Sequence, residues 1–437
     1  MKDKHLLDST DHYLSSHLKK YLATYAEQKL DDSTEDILES LHSRSFNHCL
    51  TIPVYNESHT FIESLLTKLD SAVWSNTLII LVVNQPDSDA NTTQNQALWA
   101  TLATLNFTSS VPTAPHNFFL TLNHLPSCSS IVALDYFTER RKLPKKKGVG
   151  LARKIGCDLA CHCIYQKVLR TAWLHTSDAD TQLPDDYFNQ TASNSLKELS
   201  AAVYAYTHIG ENNAVTQATV LYERSLHYYV EGLRYAGSLY AHHTLGSCIA
   251  INTLAYVLVR GFTKRAGGED FYCLNKLAKI GGIKQLTGDK LIIRARRSDR
   301  VPFGTGPAIE KILKNSDSLT TLTTYNPLIF WRLKKLLLSF EDLFCDKDTP
   351  EKWLGRQPSE IKTALESLQI SGLLDHIRSQ TKDSTSCARH IRHWFDAFKT
   401  LKFIHALEPH YPKVSLQEAE SQLNAGFETQ KITEAKS

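Results

Sequence analysis

The chain reads as an α/β protein: a Rossmann-like, mostly parallel sheet flanked by helices, with a helical segment before it and a helical extension after it. Three observations predict this. From residue 46 onward, short apolar runs alternate with segments whose apolar residues recur at helical spacing, the rhythm of βαβ units. Residues 77–83, TLIILVV, are continuously apolar and rich in β-branched side chains, as a parallel strand buried on both faces requires. Residues 171–188, TAWLHTSDADTQLPDDYF, carry an apolar run that ends abruptly at Asp178 and Asp180. Open α/β sheets bind ligands in the crevice beyond their strand ends, and two carboxylates one residue apart suit a hard divalent cation that takes oxygen ligands. Taken alone, so short a motif reads as a solvated acidic turn.

Composition narrows the class. A chain of 437 residues is expected to hold two or three domains, and 42% hydrophobic with 22% charged residues is the profile of a globular protein. The expected division is a helical N-terminal segment over 1–45, an α/β domain over 46–310 and a mostly helical extension over 311–437. A formal charge of +3 creates no global basic field, so nucleic acid is not an expected partner. The nine cysteines include no C-x-x-C pair, and Cys161-His162-Cys163 is too tight for a standard zinc knuckle. They read as reduced thiols in the cytoplasm. The first residues contain no apolar core of the signal-peptide kind, and no run approaches the roughly 18 apolar residues of a membrane span.

In chain order, Leu14, Leu18 and Tyr21 share one helical face, and Asp32 or Ser33 is a plausible start for a second helix. Residues 48–54, HCLTIPV, form a strand, after which Asn56 is a natural cap for a helix carrying Phe61, Ile62, Leu65, Leu66 and Leu69. The strand 77–83 ends in a loop rich in Asn, Gln, Asp and Thr, suited to hydrogen bonding a nucleobase or to a solvated turn. Residues 131–134 are a further strand. The basic stretch from Arg140 to Lys147 then precedes the helix start GVGLAR at 148–153. Helix N-termini attract phosphate, but Ala152, Gly156 and Ala160 at four-residue intervals equally serve close packing on the sheet. The sequence lacks both the P-loop and the G-x-G-x-x-G pattern. Residues 201–208 read as a strand and 223–240 as a helix. Residues 242–262 hold a glycine turn, a short strand, a helix from Asn252 or Thr253 and a stop at Gly261. Gly267-Gly268 then place Glu269 and Asp270 at a helix start, as caps or as acids facing a pocket.

This ordered series, IPVYNE at 52–57, the strand ending at Asn84, GVGLARKIG at 148–156, SDAD at 177–180, GSCIAIN with VRGF, and GGEDF at 267–271, resembles the family 2 glycosyltransferases over about residues 46–310. The resemblance implies a GT-A type domain that binds a nucleotide-diphospho-sugar. It also implies a divalent metal, Mn2+ or Mg2+, on Asp178 and Asp180, and transfer of the sugar to an acceptor hydroxyl of a saccharide or lipid-linked molecule. Carried over by position, the catalytic base of an inverting displacement is Asp270, with Glu269 beside it. The donor is expected to meet Pro53, Tyr55, Asn56, Glu57, Asn84, Gly148, Arg153 and Asp178. From the basic loop of Arg294, Arg296, Arg297 and Arg300, Arg297 and Arg300 are expected to hold the leaving diphosphate, since guanidinium matches phosphate oxygens.

The chemistry is coherent, because displacement at an anomeric carbon needs a base for the acceptor and compensation for charge on the leaving group. The chain departs from the family pattern at Asn84-Gln85-Pro86-Asp87, where many members carry two aspartates and a glycine-serine turn, which leaves the base undefined. A sugar nucleotidyltransferase would carry a glycine-rich loop after its first strand, where IPVYNE stands. A non-catalytic sugar-nucleotide-binding protein would be expected to have lost an acid. Beyond residue 310, residues 331–344 are amphipathic with a basic side, and Ile391, Trp394, Phe395, Phe398, Leu401 and Ile404 form a second stripe at helical spacing. Core packing accounts for both, as does peripheral contact with the inner face of a membrane. The tail from about Gln417 is expected to be loose.

Overall fold

The computed structural model describes residues 11–27, 38–42, 44–104, 112–113, 117–118, 128–196, 198–297, 304–314, 322–344 and 350–425. The expected helix start at Asp32 or Ser33, and Arg300, lie outside these residues. The chain divides into two compact units, one of Met1–Glu211 with Thr244–Pro307, the other of Asn212–His243 with Ala308–Ser437. The 1–45 segment thus falls in the first unit, and residues 212–243 group with the C-terminal helices rather than with the sheet that surrounds them in sequence.

The first unit is built on seven strands: β1 (His48–Val54), β2 (Thr77–Asn84), β3 (Ser130–Tyr136), β4 (Trp173–Thr176), β5 (Ala201–Val203), β6 (Ile249–Asn252) and β7 (Ile283–Gln285). Their spatial order is β3-β2-β1-β4-β6-β5-β7. All run parallel except β6, which is antiparallel to both β4 and β5. Every residue of β2 is buried, as its uninterrupted apolar sequence requires. Strand order reverses between β1 and β4, the position at which open α/β sheets of this kind take ligands beyond their carboxyl ends. Pro53 fits this geometry. It lies beyond the last β1–β4 pair, Thr51 with Thr176, so its missing N–H interrupts no bond to that neighbour.

Helices of the described residues in this unit include α1 (Asp11–Thr24), α2 (Phe61–Leu69), α3 (Thr93–Thr104), α4 (Gly148–Tyr165), α5 (Thr253–Leu258) and α6 (Glu269–Leu277), with α1 packed on α4 and α5. Helix α4 is buried along nearly its whole length. A Cβ at Gly156 would lie 2.3 Å from Thr51 Cγ2 and 3.1 Å from Val82 Cγ2, so glycine is what lets α4 sit directly on β1 and β2. Its other face meets α1 through a buried polar network. Tyr21 donates its hydroxyl to Asp158 Oδ1 at 2.6 Å, Tyr256 donates to the same oxygen at 2.9 Å, and Lys154 pairs with Oδ2 at 2.9 Å. With its hydrogen-bonding capacity so met, Asp158 is buried without an orphaned charge.

Several elements differ from their sequence-based expectation. Helix α2 starts after Thr60, and Asn56, at φ 52°, turns the chain instead of capping it. The run 201–208 is two strands: β5 joins the main sheet, while Tyr206–Ile209 pairs with Leu291–Arg294 in a separate three-stranded sheet completed by Thr181–Gln182. In the second unit the long helix is Ala214–Ala236, capped by the Asn213 side chain and ended by Gly237 in the left-handed conformation. It crosses the helix Pro327–Ser339 closely enough that a Cβ at Gly232 would lie 2.6 Å from the Phe330 ring. The stripe 391–404 is broken into helices Ser384–Trp394 and Ala397–Leu407, because Asp396 caps the second by accepting from Lys399 N–H; Phe398 is left 40% exposed. The tail is helical from Leu416 to Asn424, held by buried Leu416 and Ala419. No helix among the described residues is long and apolar enough to cross a membrane.

Candidate functional site

At the carboxyl ends of β1 and β4 the fold gathers five acids around two arginines. Arg153, on the first turn of α4 beyond its glycines, is 2% exposed and spans from β4 to α6. Its Nη2 meets Asp178 Oδ1 at 2.8 Å and its Nε meets Glu269 Oε1 at 3.2 Å. Its Nη1 donates to the Thr176 hydroxyl and, at 3.1 Å, to the Gly246 carbonyl. Glycine at 246 leaves room for this guanidinium, since a Cβ there would lie 2.6 Å from Arg153 Nη2. Burial works against the charge of Arg153, but Asp178 and Glu269 outweigh it and keep the group protonated.

The second arginine arrives by sheet register. Ile292 pairs antiparallel with Gln182 and Ile293 with Thr181, so the residues after Ile293 run alongside those before Thr181. Arg296 is thereby brought to Asp180, with Nη2 to Oδ2 at 2.5 Å, and it grips Glu57 through both nitrogens at 2.7 and 3.1 Å. The loop after β1 and the loop after β4 are tied by this one side chain. Sequence reasoning placed Arg296 only within a basic loop; the register of the small sheet is what singles it out.

Glycines bring the remaining acids in. Gly268, at φ 70°, turns the chain into α6 and leaves Glu269 4% exposed on Arg153. Asp270 sits beside it, enclosed by protein yet partly open to solvent, and its Oδ1 accepts from Phe271 N–H at 2.7 Å. Burial, and then the neighbouring Glu269 charge, push the Asp270 carboxyl up to about 7. Burial also raises Glu269, against the pull of Arg153.

The other expected donor contacts are placed as follows. Asn84 is buried and donates to the Val54 and Val82 carbonyls at 3.1 Å each, locking the ends of β1 and β2. Asn95 in turn donates to the carbonyl of Asn84 and to Gln85 Oε1, so the polar loop hydrogen-bonds itself. Tyr55 donates its hydroxyl to Asp89 at 2.7 Å, and the exposed Asn56 gives its N–H to Asn95 at 3.3 Å. Pro53 is buried within β1. The glycines at the start of α4 pack: a Cβ at Gly148 would lie 2.8 Å from Ala266 Cα, and Gly150 N–H donates to the Arg265 carbonyl at 2.9 Å. They hold α4 against the loop that delivers Glu269 and Asp270. Arg153 is likewise committed to the protein's own carboxylates. Arg297 is exposed.

Among the described residues, no group of three or more His, Cys, Asp or Glu is arranged to hold a metal ion by itself. The donor set nevertheless fits the way Mg2+ is commonly held, by one or two carboxylates with substrate phosphates and water completing the shell. The side chain of Asp178 is 39% exposed and engages Arg153 through Oδ1, while that of Asp180 is 19% exposed and engages Arg296 through Oδ2. Comparison of the chain with protein-family models and with curated proteins finds no match.

Proposed function

We propose that the chain is a glycosyltransferase of GT-A type, resembling family 2, which moves a sugar from a nucleotide-diphospho-sugar to the hydroxyl of a saccharide or lipid-linked acceptor. The observation that carries this reading is the pairing of an acid of raised pKa, Asp270, with the Asp178/Asp180 carboxylates at the point where strand order reverses. Perturbed acids brought together at such a crevice are the arrangement expected of a working site.

In this reading Asp270 accepts the proton of the attacking hydroxyl. An acid near pH 7 is matched to that task, being largely ionised at mildly alkaline pH while still a competent proton acceptor. Asp178 and Asp180 would hold Mn2+ or Mg2+, which when bound compensates the charge on the departing nucleoside diphosphate. Arg153 keeps Asp178 and Glu269 fixed, so that neither carboxylate reorganises during the reaction. Glu269, buried on Arg153, stands beside Asp270 and is one of the causes that raise its pKa.

The test is release of nucleoside diphosphate from a panel of nucleotide-sugars, with and without Mn2+, by the wild type and Asp270→Asn. Metal-dependent release that falls by roughly two to four powers of ten in the variant is the expected result. Release of pyrophosphate from a nucleoside triphosphate and a sugar phosphate would indicate a nucleotidyltransferase instead.

A further inference from the structure

Strand β7 runs parallel to β4 and lies three places along the sheet from it, so the two open at the same edge. At ~4.8 Å per strand their ends are about 14 Å apart. At the carboxyl end of β7 is a groove of ≈ 350 Å³, bounded by residues 186–196 on one side and 284–288 on the other. Small-ligand sites begin at roughly this size.

The groove is built rather than incidental. Gln190 Nε2 donates to Asp186 Oδ1 and to the Asp289 carbonyl, both at 2.9 Å, and Asp289 N–H donates to Asp186 Oδ2 at 3.2 Å, joining the two walls. A Cβ at Gly288 would lie 2.4 Å from Gln190 Cδ and 2.7 Å from Asp186 Oδ2, so glycine permits their approach. Tyr187 and Phe188, buried against Trp74, anchor the first wall to the core.

The lining selects a ligand class. Among the described lining residues Asp186 and Lys284 contribute one charge of each sign, which gives no net attraction for a phosphate. Among the described residues no aromatic ring lines the groove, so these offer no stacking platform for a nucleobase. What remains is a floor of buried Leu196 and Leu286 beneath the carboxamide of Asn189 and the hydroxyls of Ser195 and Thr287. Carboxamides and hydroxyls both donate and accept, as sugar hydroxyls do, while the leucines match the C–H face of a pyranose.

We propose that this groove binds a neutral, hydroxyl-rich saccharide chain at a distance from the acid cluster. Its use as an anchor for the acceptor rests on the transferase reading; saccharide binding there does not. A chain of a few sugar units held in the groove would run along the sheet edge toward Asp178.

The experiment is calorimetric titration of the full chain with maltohexaose, cellohexaose and mannohexaose. It compares the wild type with Thr287→Trp and Ser195→Trp, both exposed positions where an indole fills the groove, and with Asn189→Ala, which leaves it open. Thermal melting checks that each variant is folded. At least one hexasaccharide should bind the wild type, tenfold or more weakly to both tryptophan variants, with nucleoside diphosphate release unchanged. Binding to none of the three, or equal affinity in wild type and tryptophan variants, overturns the proposal. Groove-dependent saccharide binding without any nucleotide-sugar hydrolysis would leave the groove standing and sink the transferase reading. Hydrolysis without saccharide binding would do the reverse.

Discussion

Asp270→Asn tests the electrostatics of the site through stability as well as rate. Burial and the Glu269 charge move this carboxyl from an ordinary value of 3.8 to about 7. That is roughly three units, and at ~1.4 kcal/mol per unit it amounts to about 4 kcal/mol at most, shared with the adjacent Glu269. The folded protein therefore holds the Asp270 proton more tightly than the unfolded chain does. The resulting stability is fully present below pH 4 and is lost as pH rises toward 7. At pH 8 the wild type carries the whole cost of the ionised group, and at pH 4 none of it. Asparagine keeps the oxygen that accepts from Phe271 N–H but carries no charge. Urea unfolding should find the variant more stable than wild type by a few kcal/mol at pH 8, with the difference shrinking toward zero at pH 4. Apart from Glu269, whose titration is tied to that of Asp270, the titrating groups are common to both proteins and largely cancel. An equal difference at the two pH values would refute the argument. The wild-type rate should rise with pH through about 7, and this rise should be absent from any residual activity of the variant.

Arg153→Met leaves Glu269 buried without its cation and should cost about 3–5 kcal/mol by denaturant titration; a loss under about 1 kcal/mol would mean the arginine does not hold the site together. In Gly156→Ala the new methyl meets Thr51 Cγ2 at 2.3 Å, so α4 must lift from the sheet at about 1–3 kcal/mol, and an unchanged melting temperature would contradict the packing. Tyr21→Phe removes a 2.6 Å bond to buried Asp158 and should destabilise by roughly 1.5–3 kcal/mol, visible as a lower urea midpoint. Asp180→Asn should keep the fold and abolish the Mn2+ dependence of donor binding in calorimetry; donor affinity that ignores the metal in the wild type would remove that role from the aspartates.

Sequence alone was enough for elements whose local pattern is also their tertiary fate. The uninterrupted apolar run at 77–83 reads as a buried parallel strand because no other environment hides both faces. The cap at Asn252 and the glycines before Glu269 mark helix starts through backbone geometry that is local by nature. The grouping of acids by ordered motifs was legible for the same reason, since each stands at a strand end or a helix start. What local pattern does not encode is which polar group is consumed by another. The Val54 carbonyl that Asn84 meets and the Ala266 that Gly148 packs against come from distant segments, which the local pattern does not join to them. The basic loop gave no reason to prefer Arg296, whose position depends on a pairing between residues 181–182 and 292–293. Residues 201–208 pass as one strand because the apolar and aromatic run continues across the break at Tyr204 and Ala205, and only the pairing of Tyr206–Ile209 in the second sheet divides it. The assignment of residues 212–243 to the C-terminal unit follows from the close crossing at Gly232 and Phe330, a contact between segments about a hundred positions apart that a single-chain pattern does not record.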